Sequence, residues 1–212
     1  LVQDGTFLLT KVNESPVITL FLYYVLPRSF TTFCFQYLCN KVNYVVRKSL
    51  ENAVQMEYKA LTDDMTGAYN KNRLIELLNN RERDGQDIAV IYWDVNQLKY
   101  VNDNWGHLCG DRLITEVAKT IQSIAREEDI VIRYGGDEFL LYVANGTKEI
   151  AEQLIKTWKV RLEEEKKREN YEFPVSASVG YALGKHSQLK DIIAAADKDM
   201  YANKRICRES AK

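Results

Sequence analysis

An α+β sandwich, an antiparallel sheet with helices packed on it, is the fold class that the sequence predicts, and three observations lead to it. Ile88 to Trp93 is a continuous apolar run, the composition of a central strand covered on both faces. Two more apolar runs, Ile130 to Ile132 and Phe139 to Val143, flank the pair Gly135-Gly136, which is how a tight hairpin reads. Elsewhere apolar residues return every three or four positions, as on the inner faces of helices.

The elements follow in order. Residues 1–43 differ in composition from the rest, and Pro16 to Cys39 is mostly apolar. Pro27-Arg28 divides that run into two pieces, each shorter than the roughly 20 residues a membrane span needs. Lys41, Arg47 and Lys48 then follow with no acid before Glu51, as cytoplasmic flanks do, so membrane contact through residues 16–40 stays open. No charged start precedes the apolar run, which argues against a signal peptide. The segment reads as the end of a truncated sensory or membrane region. Residues 44–62 lack Gly and Pro and set Val46, Leu50, Ala53 or Val54, and Leu61 near one helical stripe. This is a connecting helix, either a short coiled coil joining two copies or an amphipathic helix packed on its own domain.

Asp64 or Thr66 is expected to cap the next helix, which turns Leu74, Ile75 and Leu78 inward. The central strand ends at Asp94, a turn-former or a metal ligand, and Asn96 to Trp105 reads as a polar loop. Gly110-Asp111 opens a helix bearing Ile114, Val117, Ile121 and Ile124, where Asp111 could simply favour the helix dipole. Arg126 to Asp129 precedes the hairpin and, alone, reads as a solvated helix end. The hairpin carries Asp137 and Glu138 at its tip, either exposed turn residues or carboxylates awaiting a cation. Ile150, Leu154, Trp158 and Leu162 mark a helix that ends in a solvated charge run, Arg161 to Glu169. Val175, Ala177, Val179 and Tyr181 alternate with Ser176, Ser178 and Gly180 as a half-buried strand. Gly180 to Lys185 lacks the spacing of a phosphate loop. The last helix carries Leu189, Ile192, Ile193, Ala196 and Met200 at core spacing, then Lys204 and Arg208 four apart on one face.

Composition narrows the function. With 29 basic and 30 acidic residues the net charge is -1, so no polyanion-binding surface, and hence no nucleic-acid partner, is expected. Cys34, Cys39, Cys109 and Cys207 lack both Cys-x-x-Cys spacing and disulfide density, which suits a reducing compartment. His107 and His186 stand without cysteines at ligand spacing, against a structural zinc site.

Gly135-Gly136-Asp137-Glu138-Phe139, together with Asp94 to Asp111, resembles the GGDEF family of diguanylate cyclases over about residues 61–212. Asp64 to Asn70 resembles the family's opening motif in degraded form, with Met65 for leucine and Lys71 for arginine. Leu98 stands where the family has phenylalanine, Asn203 where it has alanine, and Cys207 where it has glycine. The resemblance implies that residues 63–212 form a catalytic domain with the ferredoxin-like palm of nucleotide cyclases. It further implies condensation of two GTP into cyclic di-GMP and two pyrophosphates, with Mg²⁺, or Mn²⁺ in its place, held by Asp94, Asp137 and the Val95 carbonyl. Asp137 and Glu138 are the implied catalytic carboxylates, Lys99 stabilises the transition state, and Gly135 and Gly136 admit the phosphate. Asn102 and Asp111 would read guanine, whose N1 and N2 donate to a carboxylate where adenine N1 cannot, and His107 would support the nucleotide. Lys204 and Arg208 would hold terminal phosphates. Arg126 and Asp129 would form the product-binding inhibitory site, and activity would need a homodimer. A cytoplasmic location, possible tethering to the inner membrane included, goes with this reading. Its rival is a catalytically silent module that binds GTP or cyclic di-GMP; a cyclase making mixed purine dinucleotides is disfavoured by Asp111.

Overall fold

The computed structural model describes the backbone of residues 16–210, with side chains from 17 to 205 apart from Thr19 and Leu22. The chain divides into two compact units, Leu1–Met56 and Glu57–Lys212.

The first unit contains helix α1 (Pro16–Leu20), a π-helical turn (Phe21–Val25) and most of helix α2 (Leu26–Leu61). Pro27 does not end the helical run. Proline removes one N–H donor and crowds the preceding turn, and the wider π turn just before it absorbs that misfit: the Leu26 N–H bonds back to Phe21 O. The composition border near residue 43 therefore falls inside one helix. No residue of α2 is buried, and Val46, Leu50 and Val54 are all exposed. Among the described residues, no helix is long and apolar enough to cross a membrane.

In the second unit, helix α3 (Lys71–Asn79) is capped by Asn70, whose side chain accepts from Asn72 N at 2.9 Å. Asp64 and Thr66 do not cap it; the Thr66 hydroxyl is committed to Asp63 at 2.7 Å. Leu74 and Leu77 face inward, while Ile75 is 51% exposed, because nine residues bury only one narrow stripe. The sheet has four antiparallel strands in the order β2-β3-β1-β4: β1 (Asp87–Val95), β2 (Ile130–Arg133), β3 (Glu138–Ala144) and β4 (Ala177–Lys185). Helix α4 (Leu98–Trp105) replaces the expected polar loop, and α5 (His107–Gln122) follows it. Helix α6 (Lys148–Glu169) links β3 to β4, and α7 (Leu189–Ser210) closes the chain.

Alternation along the strands divides the core in two. Ile91, Trp93, Leu141 and Val143 pack with Leu113, Val117 and Ile121 of α5 and Leu154 and Trp158 of α6. Ile88, Val90, Tyr92, Leu140 and Tyr142 pack with Leu74 and Leu77 of α3 and with Ile192, Ala196 and Met200 of α7. Both faces of β1 and β3 are thus covered, as their continuous apolar runs require. His186 is a core residue, with Nδ1 at 3.0 Å from the Tyr142 hydroxyl and Nε2 at 2.9 Å from the Leu77 carbonyl.

Candidate active site

The buried pair Trp93 and Phe139 fixes the register between β1 and β3, and the next pair along the ladder is Asp94 opposite Glu138. Asp94 therefore faces Glu138 rather than Asp137. Asp137 joins the same corner through its main chain, its carbonyl accepting from Val95 N at 2.9 Å. Like charges directly opposite on a ladder repel, and Lys204 from α7 offsets them, its Nζ lying 2.5 Å from Asp94 Oδ1. The two side chains are only 16% and 20% exposed. Lys204, expected at terminal phosphates, lies here against a carboxylate. Arg208 lies on the same helix, but its side chain falls outside the described residues.

The two glycines of the turn do different work. A Cβ on Gly135 would come within 2.3 Å of Glu138 Oε2 and push that carboxylate aside, whereas a Cβ on Gly136 would meet nothing within 4 Å. Burial, and then the charge and hydrogen bond of Glu138, push the Tyr92 phenol well above its ordinary pKa. Arg133, which sequence reasoning missed, clamps the turn: it donates to Gly136 O at 2.7 Å and to both Asp63 oxygens at 3.0 and 3.1 Å. Its signal was an arginine two residues before the glycine pair; its partner, 70 positions away, carried none.

Beyond β1 the chain turns sharply. Asn96 N donates to Ser176 O and Ser178 Oγ to Asn96 Oδ1, both at 2.9 Å. Gln97 takes the left-handed conformation at φ 60°, unusual for a residue with a Cβ. Helix α4 then starts with no side-chain cap, leaving main-chain donors at its N-terminus free for an anion. Lys99 is exposed in that first turn, His107 is exposed as the first residue of α5, and Asp111 is exposed one turn further along it. Asn102 rests on Gly110, where a Cβ would stand 1.9 Å from its Oδ1. Asn102 and Asp111 are thereby brought to one corner between α4 and α5.

Arg126 and Asp129 lie elsewhere. Asp129 accepts from Arg126 N, Nε and Nη2 at 2.7 to 3.0 Å and from Ala144 N at 3.2 Å, and its side chain is 0% exposed. Arg126 also donates to Ala144 O at 2.8 Å. Ala144 ends β3 and Glu138 begins it, so roughly 20 Å of strand separates this pair from the acidic corner. Asp129 has its lone pairs filled by the protein; Arg126 keeps the outward face.

The donor set at the strand ends is carboxylate and carbonyl oxygen, which suits a hard cation that keeps waters and takes further oxygens from a phosphate ligand. Among the described residues, no three His, Cys, Asp or Glu side chains converge as a metal cage. The ammonium of Lys204 nevertheless occupies a cation position against Asp94, so the residues fit a divalent ion completed by water and ligand.

Residues 60–210 match the family described as Diguanylate cyclase, GGDEF domain. The probable diguanylate cyclase DgcJ of Escherichia coli K12 is 33% identical over 167 residues, covering 73% of this chain and 33% of DgcJ. The cyclic di-GMP phosphodiesterase PdeR of the same strain is 34% identical over 149 residues, covering 68% of this chain and 22% of PdeR. The chain thus spans a third or less of these two relatives. Among solved structures, the coiled coil and GGDEF domain of DgcB from Caulobacter crescentus, in complex with cyclic di-GMP, is similar at TM-score 0.67 and 25% identity, covering 81% of this chain and 94% of that one. With the family match running through both strand ends, the glycine turn and the α4–α5 corner, the chain belongs to the GGDEF family of diguanylate cyclase domains.

Proposed function

We propose that this domain condenses two GTP into cyclic di-GMP and two pyrophosphates. The observation that carries the reading is the corner where Asp94 faces Glu138, Asp137 is tied to Val95, and Lys204 supplies a cation. In each of two steps the 3'-hydroxyl oxygen of one GTP bonds to the α-phosphorus of the other. The bond from that phosphorus to pyrophosphate breaks, pyrophosphate leaves, and the hydroxyl proton passes to a base. Mg²⁺ or Mn²⁺, held by Asp94, Asp137 and the Val95 carbonyl, would lower the hydroxyl pKa and offset charge on the phosphate oxygens. Glu138, given room by the absence of a side chain on Gly135, adds a third carboxylate opposite Asp94. The free donors at the start of α4, with Lys99 beside them, would receive phosphate oxygens. Asn102 and Asp111 would read the guanine edge, with His107 bordering it.

One such corner per chain holds one GTP, so ring closure needs two chains facing each other about a two-fold axis. Product bound at Arg126, with Asp129 bracing the guanidinium from beneath, would hold the two halves apart. A cytoplasmic location, where GTP is available, goes with this activity.

Incubating the purified protein with GTP, ATP and Mg²⁺ and weighing the products tests the reading. Cyclic di-GMP from GTP alone, lost in Asp137→Ala, is expected. Tight GTP or cyclic di-GMP binding with no product would instead favour a silent binding module, and product surviving Asp137→Ala would remove Asp137 from the cation site.

A further inference from the structure

The acidic corner contains its own cation. Lys204 is placed there by a helix whose backbone has little freedom to move. A Cβ on Gly180 of β4 would lie 2.1 Å from Met200 N, so α7 touches β4 directly at that point. Asp199 accepts from Tyr181 N at 3.0 Å, and Asn203 donates to Val179 O at 3.1 Å. These contacts hold the turn of α7 just before Lys204 against the edge strand. They also account for asparagine at position 203. Only the four-carbon stem of Lys204 is left to move, and it is a flexible one.

Asp94 has Glu138 opposite it on one side and Ser178 on the other, so Lys204 is the cationic partner it has. A divalent ion arriving at the same carboxylate would repel the ammonium at contact distance. The two cannot both be held there tightly. A nucleotide's phosphate chain changes this balance, because it offers the ammonium a stronger anion within reach of the same stem.

We propose that Lys204 is a displaceable internal counter-ion, which covers Asp94 until nucleotide phosphates draw it away, so that divalent cation and nucleotide bind cooperatively through this one side chain. The inference rests on the reading of this corner as the cation site. Lys204 acts as a positioning residue in this role: it keeps Asp94 from taking a divalent ion before a nucleotide is present. Because coupling between two ligands is reciprocal, the divalent ion also raises the affinity for nucleotide by freeing Lys204 from Asp94.

The test measures Mn²⁺ binding to the full chain by electron paramagnetic resonance, without nucleotide. Lys204→Met is expected to bind Mn²⁺ about 5- to 10-fold more tightly than the wild type, within the usual span of such couplings. Lys204→Arg, which keeps the charge, should stay near wild type, and adding Asp94→Asn to Lys204→Met should abolish the gain. A non-hydrolysable GTP analogue should then tighten Mn²⁺ binding by a larger factor in wild type than in Lys204→Met. The thermal midpoint of Lys204→Met should drop in chelator and recover with Mn²⁺. If Lys204→Met does not fold, Lys204→Gln is read in the same way. Unchanged or weaker nucleotide-free Mn²⁺ binding in the neutral variant overturns the proposal, even if the protein makes cyclic di-GMP. Tighter binding upholds it even if no product forms.

Discussion

At the scale of single residues, the site depends as much on side chains that are missing as on those present. Gly110 is the sharpest case, since a Cβ there would stand 1.9 Å from Asn102 Oδ1 and 2.9 Å from its Cγ. Gly110→Ala leaves Asp111 unchanged in identity but forces the Asn102 amide out of its position. The expected result is a GTP affinity weaker by about tenfold, the scale of one lost hydrogen bond to a charged or buried partner, with little change in thermal midpoint. Calorimetric titration with GTP, with ATP as the control, measures it. The role of Gly110 could not be read from the chain, because the sequence shows Gly110 beside Asp111 but not that Asn102, eight residues earlier, lies over it. The acids themselves were legible. Asp94 closes a buried strand and Glu138 follows a glycine turn, and period-two alternation decides that these two face each other. Asp137, one residue before β3, reaches the same corner by its carbonyl to Val95 N, a main-chain contact that no side-chain pattern displays.

Between elements, the contact with most reach is the one joining the end of α2 to the glycine turn. Asp63, two residues past α2, holds Arg133, and Arg133 holds Gly136 O. Burial alone would raise the Asp63 carboxyl, but hydrogen bonds from Thr66 and Arg133 and the charge of Arg133 outweigh it, leaving the pKa below its ordinary 3.8. A carboxyl depressed on folding stabilises the native state above its unfolded pKa, and that contribution disappears as pH falls through the folded value. Asp63→Asn should therefore be less stable than wild type by about 1 kcal/mol at neutral pH, the upper end for a partly exposed pair. The gap should close as pH falls below 3.8. Denaturant titrations of both proteins from pH 6 downward check this, and a gap that is constant with pH would count against the pair. Elements with long apolar runs, β1 and β3, were plain in the sequence, as were α5, α6 and α7. Helix α4 was not, because only Val101 of its residues is buried and one buried position shows no period. In α3, for the same reason of shortness, Leu77 takes the place expected for Ile75, while Leu74 and the half-buried Leu78 pack inward as expected.

For the whole molecule, the unresolved economy is that one chain offers one acidic corner while the proposed product needs two bonds. If each chain brings one GTP and activates one attack, a dimer of one intact and one disabled chain can make a single bond. Asp94→Asn removes the carboxylate that faces Glu138 yet leaves Asn102 and Asp111 about the α4–α5 corner, so the variant should still bind GTP. Mixing it in excess with wild type should convert part of the output from cyclic di-GMP to the linear dinucleotide that retains one triphosphate, with one pyrophosphate released per molecule. Separating the nucleotides by mass as the mixing ratio is varied measures that shift. The linear fraction should rise with the share of mixed dimers and vanish in either pure protein. A mixture that yields only cyclic product, in proportion to the wild-type chain, would mean that one corner performs both steps. The exposed apolar length of α2, with Leu50 62% exposed and Val46 and Val54 also uncovered, offers a surface on which two chains could pair. Leu50→Glu should accordingly suppress the linear product in such mixtures along with the cyclic one, because both then require chains that no longer meet.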